Sequence, residues 1–87
     1  MPESALPPPD LIVDARGHRC PAPSLRLRRA LEHAREGAVV QLLADDPLAR
    51  IDIPHLLAAL DYPLLTQACE DGVLSFLVRK TVRPPPA

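Results

Sequence analysis

The segment at residues 38–47 reads Ala-Val-Val-Gln-Leu-Leu-Ala-Asp-Asp-Pro and indicates the architecture of the chain. Its first seven residues are nearly continuous in Val and Leu, which is typical of a strand in the centre of a sheet. Asp45-Asp46-Pro47 ends this strand and caps the next element, because a carboxylate suits the N-cap of a helix and proline suits its first position. The stretch therefore predicts a central strand that is closely followed by a helix.

Upstream of this stretch, the sequence predicts one strand and one helix. The run Leu11-Ile12-Val13 is short, apolar and rich in β-branched residues, and it predicts a buried first strand. Helical spacing begins at about residue 21 and continues to about residue 35, with Gly37 as the C-terminal stop. The apolar stripe of this helix consists of Leu27, Ala30, Leu31 and Ala34.

A proline complicates the helix after residue 47. Because Pro54 inside a helix would remove a hydrogen bond and clash with the preceding turn, we expect one loose turn after Pro47 and then a helix capped by Asp52. Pro54 then lies in the first turn of that helix. Residues 64–70 and 73–80 predict two strands, joined by the two-residue hairpin signal Asp71-Gly72. The apolar stripe predicted for this second helix is Ile53, Leu56, Leu57 and Leu60.

The predicted order of elements is strand, helix, strand, helix, strand, strand (βαβαββ). Right-handed crossovers place both helices on one face of a mixed four-stranded sheet, which gives a two-layer α/β (α+β) sandwich. So thin a fold leaves little room for a deep substrate pocket, and we expect the chemistry at an edge or in a loop. The domain is expected at residues 10–80, with the proline-rich segments 1–9 and 81–87 as disordered tails.

Composition and charge argue against several classes of function. The 87 residues allow one small domain, and ten Lys and Arg against eleven Asp and Glu give a net charge of -1, which does not suit a general nucleic-acid binder. Aromatic residues make up only 2%, too few for a base-stacking surface. No apolar run is long enough to span a bilayer and the first residues do not resemble a secretory signal, so a cytoplasmic protein is expected.

The chemistry is expected at the segment Cys20-Pro21-Ala22-Pro23, between a loop and the first helix. If Cys20 is the N-cap, the two prolines occupy first-turn positions that sacrifice no hydrogen bond, and free amides of the helix face the sulfur. The positive end of the helix, together with Arg16, His18 and Arg19 upstream, then favours thiolate over thiol. The alternative is a small residue buried under a helix end. The residues alone thus predict a nucleophilic thiol with a lowered pKa, in a setting that would equally stabilise a persulfide anion.

Residues 11–80 resemble the TusA/SirA-like family of small sulfur carriers. The resemblance implies that Cys20 carries sulfur as a persulfide, accepted from a cysteine desulfurase or rhodanese-type donor and handed to an acceptor protein. It implies a group relay without a cofactor or a small-molecule substrate pocket, and it is compatible with tRNA thiolation, molybdenum cofactor sulfuration and sulfur oxidation. The matching segments are Asp14-Ala15-Arg16-Gly17 leading into Cys20-Pro21-Ala22-Pro23, then Arg28-Arg29-Ala30-Leu31, Ala44-Asp45-Asp46-Pro47 with Asp52-Ile53-Pro54, and Arg79-Lys80.

Partner docking is expected around the thiol. His18 stands where the family usually has leucine and Ser24 where an aliphatic residue is common, and both positions bear on which partner docks. Arg28 and Arg29 are either an ordinary solvated helix face or docking cations. The free carrier is expected to be a monomer that relays sulfur between proteins and does not bind membranes or nucleic acid. The predicted docking residues are His18, Arg19, Pro21, Pro23, Arg28 and Arg29.

Two other hypotheses use the same residues differently. A regulatory or nucleic-acid-binding module would use the arginine face of the first helix. A thiol redox protein would pair Cys20 with Cys69, which requires their Cα atoms to lie within about 7 Å. The hairpin register sets Cys69 opposite Leu74, and we expect Cys69 to be a buried core thiol. No metal is expected, since His18, His33 and His55 lack metal-ligand spacing with either cysteine.

Overall fold

The structure, a computed structural model, describes residues 6–81. The tails predicted at residues 1–9 and 81–87 fall largely outside this range. Within it, the six elements follow in the predicted order, and no helix is long and apolar enough to cross a bilayer. The elements are β1 (Leu11–Asp14), α1 (Ala22–His33), β2 (Val39–Ala44), α2 (Ala49–Leu60), β3 (Leu64–Glu70) and β4 (Val73–Arg79).

The four strands form one mixed sheet in the order β1-β2-β4-β3. β1 pairs with β2 in parallel, whereas β2 with β4 and β4 with β3 are antiparallel. The predicted βαβαββ sandwich with a mixed four-stranded sheet is confirmed. The predicted hairpin is also present, since Asp71 and Gly72 both adopt left-handed backbone conformations, with φ of 53° and 80°, as the tightest hairpin turns require.

The core lies between the two central strands and both helices. Val40, Leu42 and Ala44 alternate along β2 on its buried face, and their partners across the ladder are Val78, Phe76 and Leu74 of β4. On the other face, Gln41 donates a hydrogen bond to Ser75 at 2.9 Å, and both residues are half-buried. Both helices therefore cover the same face of the sheet. Their buried residues in this cluster are Leu27, Leu31, Ala49, Ile53 and Leu57.

The first strand was predicted to be buried, but it is largely exposed. β1 lies at the edge of the sheet, and the side chains of Leu11 and Ile12 are 45% and 55% exposed. Val13 alone of the run packs against the core. A short apolar run does not distinguish a central strand from an edge strand. The position of a strand in the sheet depends on pairing partners that are distant in the chain.

The first helix is shorter than predicted. It begins at Ala22, with Pro21 as its N-cap, and it ends at His33 rather than at residue 35. Its C-terminal carbonyl groups are capped from the far end of the chain, because the Lys80 ammonium donates to the carbonyl oxygens of Leu31 and Ala34 at 2.5 and 3.1 Å. Lys80, which belongs to the Arg79-Lys80 segment shared with the family, thus has a structural role.

The second helix is longer than predicted and contains its proline. α2 begins at Ala49, so Asp52 lies in its first turn instead of capping it, and Pro54 lies inside the helix. Pro54 costs about 3 kcal/mol in lost bonding and crowding. The two large buried side chains of this helix, Ile53 and Leu57, contribute about 1.5–3 kcal/mol each by burial. Burial therefore outweighs the proline, and the helix continues through it.

Candidate functional site

Cys20 lies in the loop between β1 and α1 and is half-buried. Its own backbone N–H donates a hydrogen bond to the Asp46 carboxylate at 2.6 Å. The first-turn amide of Ala22, which was predicted to face the sulfur, donates instead to the carbonyl oxygen of Arg19 at 2.8 Å. The thiol therefore precedes the helix by two residues and is not its N-cap.

The nearest polar partner of the sulfur is a carboxylate. Cys20 Sγ donates a hydrogen bond to Oδ2 of Asp52 at 2.5 Å. Asp52 is half-buried in the first turn of α2, and Asp46 lies in the short loop between β2 and α2. The sequence places these residues 26 and 32 positions from Cys20, and the β2–α2 connection brings both to the thiol. Two negatively charged groups thus face the residue that carries the predicted chemistry.

This arrangement reverses the predicted electrostatics of the thiol. The hydrogen bond to Asp52 is the main reason that the pKa of Cys20 is raised, followed by partial burial and by the charges of Asp52 and Asp46. The prediction of a lowered pKa was wrong, because it counted the helix end and the basic residues nearby in sequence and missed carboxylates that are distant in sequence. This environment favours the thiol form of Cys20 over the thiolate.

The acidic pair at the end of β2 orders the loop that carries the thiol. The Asp45 carboxylate accepts the N–H of Gly17 at 3.0 Å, and Asp46 accepts the N–H groups of Cys20 and Leu48. These backbone hydrogen bonds lower the pKa of Asp46. Because the Asp46 carboxylate accepts the N–H of Leu48, just before α2, as well as that of Cys20, it joins the reactive loop to the turn that leads into this helix. The prediction that a carboxylate of Asp45-Asp46 is the N-cap of this helix was wrong, since the N-cap is Leu48 and no side chain caps it.

The basic residues near Cys20 in the sequence interact with different acidic residues. Arg16 forms a bidentate ion pair with Asp14, with Nη2–Oδ2 at 2.7 Å, which lowers the pKa of Asp14. The guanidinium of Arg16 is therefore matched by a carboxylate next to it. His18 and Arg19 are exposed and line a cleft together with Asp45 and residues 46–47. The charge of Arg19 contributes to the lowered pKa of Asp46.

The predicted docking residues do not all reach the surface. His18, Arg19 and Pro21 are exposed beside Cys20, and Arg28 and Arg29 are exposed along α1. Arg28 pairs with Glu32 one turn further on, at 3.4 Å. Pro23 is buried under the helix start, where a partner cannot touch it. We therefore remove Pro23 from the docking surface and assign it a packing role.

Cys69 is exposed, and the prediction of a buried core thiol was wrong. The predicted register is present, since Cys69 lies opposite Leu74, which is buried. β3 is however an edge strand, and Cys69 lines an open depression with Gln67 and with Arg50 of α2. The predicted register is correct, but the first turn of α2 leaves the Cys69 side chain exposed.

The two cysteines lie on opposite sides of α2. Asp52 contacts Cys20, whereas Arg50 lines the depression beside Cys69. Positions two residues apart are separated by about 200° around a helix axis. Both thiols are free, and the α2 residues beside them, Asp52 and Arg50, project from nearly opposite sides of the helix. This placement argues against a redox pair of Cys20 and Cys69. No group of three or more His, Cys, Asp or Glu side chains within residues 6–81 could hold a metal ion.

Comparison with solved structures defines the class of the fold. The crystal structure of a SirA-like protein from Desulfitobacterium hafniense matches with a TM-score of 0.73 and 27% sequence identity, over 83% of this chain and 99% of that one. The βαβαββ sandwich described above is thus a SirA-like fold.

Comparison of sequences then gives the family. The profile described as "Sulfurtransferase TusA" matches residues 11–80. A protein of Archaeoglobus fulgidus that is named as a candidate sulfur carrier is 44% identical over 68 residues, which cover 77% of this chain and 88% of the relative. The chain therefore belongs to the TusA family of sulfur carriers.

Proposed function

We propose that the protein relays sulfane sulfur as a persulfide on Cys20. The observation that carries the proposal is the position of this thiol: it is the cysteine of the family segment, half-buried at the start of α1 and held by contacts from two other elements. Family membership supports sulfur carriage, and Cys69 makes no comparable contact with a carboxylate in the described part of the chain. Cys20 is therefore the proposed carrier residue.

The proposed reaction is an exchange at sulfur, analogous to thiol–disulfide exchange. The Cys20 thiolate attacks the terminal sulfur of a donor cysteine persulfide, a bond forms between Sγ and that sulfur, and the sulfur–sulfur bond of the donor breaks. The electron pair leaves on the donor cysteine, which takes up the proton that Cys20 lost. In the second step an acceptor thiolate attacks the outer sulfur of the Cys20 persulfide, and Cys20 leaves with the electron pair and regains a proton. No electrons are gained or lost overall.

The donor is proposed to be a cysteine desulfurase or a rhodanese-type protein, and the acceptor a further protein. A half-buried sulfur at a loop can be reached by a protruding cysteine of a docked partner. The exposed residues His18, Arg19 and Pro21 surround it, and Arg28 and Arg29 extend this surface along α1. We place the relay in the cytoplasm, where exposed thiols such as Cys69 remain reduced. The proposed destinations are tRNA thiolation, molybdenum cofactor sulfuration or sulfur oxidation.

Intact-protein mass spectrometry after incubation with a cysteine desulfurase and cysteine tests this function. We expect a gain of one sulfur atom that is removed by a reducing thiol and is absent from Cys20→Ser. A loss of two hydrogens would instead support the redox pair. Equal loading of the wild type and Cys20→Ser would refute the carrier function.

A further inference from the structure

The contact between Cys20 and Asp52 has consequences for both states of the proposed carrier. Asp52 lies in the first turn of α2, a helix fixed by its buried residues Ile53 and Leu57. Its carboxylate oxygen is 2.5 Å from the sulfur. A carboxylate so close to a thiol stabilises the protonated form by accepting its hydrogen bond and destabilises any anion at the same place.

The geometry points to Asp52 as the residue that restrains Cys20: its carboxylate keeps the free carrier in the thiol form and disfavours the persulfide anion of the loaded carrier, so that the sulfur is passed on rather than retained. This inference rests on the proposed persulfide function and adds to it a residue that controls reactivity. Because Asp52 touches the reacting sulfur itself, it acts on Cys20 directly.

Asp52 affects the equilibrium between the unloaded and the loaded carrier. At neutral pH the loading equilibrium converts a Cys20 thiol and a donor persulfide anion into a Cys20 persulfide anion and a donor thiol, with one proton moving from Cys20 to the donor. Asp52 stabilises the left side through its hydrogen bond with the thiol and repels the anion on the right side. The carboxylate thus favours the unloaded carrier in both ways, which suits a relay that must release its sulfur to an acceptor.

The other charged groups around Cys20 come from two further elements. Asp46, in the loop between β2 and α2, adds a second negative charge that also raises the pKa of Cys20. Arg19 and His18 belong to the loop before α1, and the charge of Arg19 acts on Asp46. The first turn of α1 contains no acidic residue. Asp52 alone among these groups contacts the sulfur, so its removal should have the largest effect.

The test uses full-length protein carrying Cys69→Ser, so that only Cys20 reacts, with and without Asp52→Asn. The first probe is iodoacetamide, whose rate follows the thiolate fraction. We expect the rate of the parent protein to inflect above the free-cysteine value of about 8.5. Asp52→Asn should move the inflection to lower pH and accelerate alkylation at pH 7 by at least about threefold. The matched control Asp71→Asn removes the same charge in the exposed β3–β4 turn and should change neither quantity.

The second probe is glutathione persulfide at equilibrium with the same proteins. We expect Asp52→Asn to hold a larger fraction of its Cys20 as persulfide than the parent or Asp71→Asn does. Unchanged or slower alkylation in Asp52→Asn, or an unchanged loaded fraction, would overturn the inference. Circular dichroism spectra and melting temperatures establish that each variant is folded. Should Asp52→Asn fail to fold, the inflection of the parent protein still decides, since a value at or below that of free cysteine contradicts the restraint.

The two proposals fail in different ways. If persulfide forms on Cys20 but Asp52→Asn leaves the pH profile and the loaded fraction unchanged, the relay stands and the role of Asp52 falls. If the pH profile shifts as expected but neither a desulfurase nor glutathione persulfide places sulfur on Cys20, the restraint on the thiol stands and the carrier function falls.

Discussion

The two cysteines occupy contrasting places in one small domain. Cys20 is half-buried, its N–H and its thiol each donate to a carboxylate, and those carboxylates belong to the β2–α2 loop and to the first turn of α2. Cys69 is exposed on an edge strand beside Arg50 and has no comparable partner within residues 6–81. Exposure alone would assign the chemistry to Cys69. The proposed carrier thiol is therefore the one that carboxylates hold in place, and not the more accessible one.

Sulfur loading should separate the two thiols completely, and this is the largest effect we expect. Cys20→Ser should abolish persulfide formation with a cysteine desulfurase and cysteine, because it removes the only proposed acceptor atom. Cys69→Ser should load nearly as well as the wild type. Intact-mass spectra of the three proteins provide the measurement. Loss of loading in Cys69→Ser would show that the exposed thiol takes part.

Charge reversal on the surface near Cys20 should slow sulfur transfer more than charge reversal near Cys69 does. Arg28→Glu with Arg29→Glu reverses the potential along α1 without removing a core contact, and we expect sulfur transfer from the donor to slow by about tenfold at low salt. The defect should shrink as salt rises. Single-turnover kinetics measure both effects.

The control for this surface is Arg50→Glu, which reverses one exposed charge beside Cys69 and is compared with the double variant per reversed charge. It should transfer sulfur at close to the wild-type rate. Both variants should melt near the wild-type temperature, because the exposed Arg28–Glu32 pair contributes less than about 1 kcal/mol. Equal slowing by both variants would mean that overall charge, rather than the α1 surface, governs docking.

A limited dose of iodoacetamide at pH 7 should label the two thiols in a defined order. Cys69 is open to solvent, whereas Cys20 is half-buried and its pKa is raised by Asp52. We expect the peptide that contains Cys69 to be modified at least about threefold faster. Peptide mass spectrometry gives both rates in one sample, and preferential labelling of Cys20 would contradict the described contact.

The smallest expected effect concerns stability at the two sites. Asp46→Asn removes a charge that binds the N–H groups of Cys20 and Leu48, and we expect the melting temperature to fall by about 5 °C. Glu70→Gln, next to the exposed Cys69, should change it by no more than about 1 °C. Calorimetry would measure both, and equal shifts would show that Asp46 is not a special contact.

The effect of Asp46 should depend on pH with a definite sign. The pKa of Asp46 is lowered in the folded protein, so its stabilisation is fully present above the unfolded value of about 3.9 and is lost as pH falls through the folded value. The difference in melting temperature between the wild type and Asp46→Asn should therefore be constant near neutral pH and narrow below about pH 3.9. A difference that widens on acidification would contradict this sign.

Element order and sheet type could be predicted because they are encoded locally. The apolar run at residues 38–44, the hairpin signal Asp71-Gly72 and the helical stripe at Leu27 and Leu31 each act within a few neighbours. The wrong predictions concern which side chains are buried by neighbouring elements. Leu11 and Cys69 were predicted to be buried because their residue types are usually buried, and both lie at sheet edges that only the assembled topology defines.

The sequence allowed a position to be proposed for the candidate site but did not predict its environment. The proline pair after Cys20 and the resemblance to a family pointed to this residue. The electrostatics depended on Asp46 and Asp52, whose positions in the sequence indicated helix caps. Asp52 lies 32 residues from Cys20, and only the packing of α2 beside α1 brings the two together. The sequence contained one hint of the contact between Cys20 and Asp52: the segments around both residues match the family. That match does not show that the two side chains touch.

The central claim is that sulfur travels on Cys20 and not on Cys69. The most direct measurement is peptide mass spectrometry of the wild-type protein after brief loading by a cysteine desulfurase and then after addition of an acceptor thiol. We expect one added sulfur on the peptide that contains Cys20, and we expect that sulfur to disappear when the acceptor is added. Sulfur on the peptide that contains Cys69, or equal sulfur on both peptides, would contradict it.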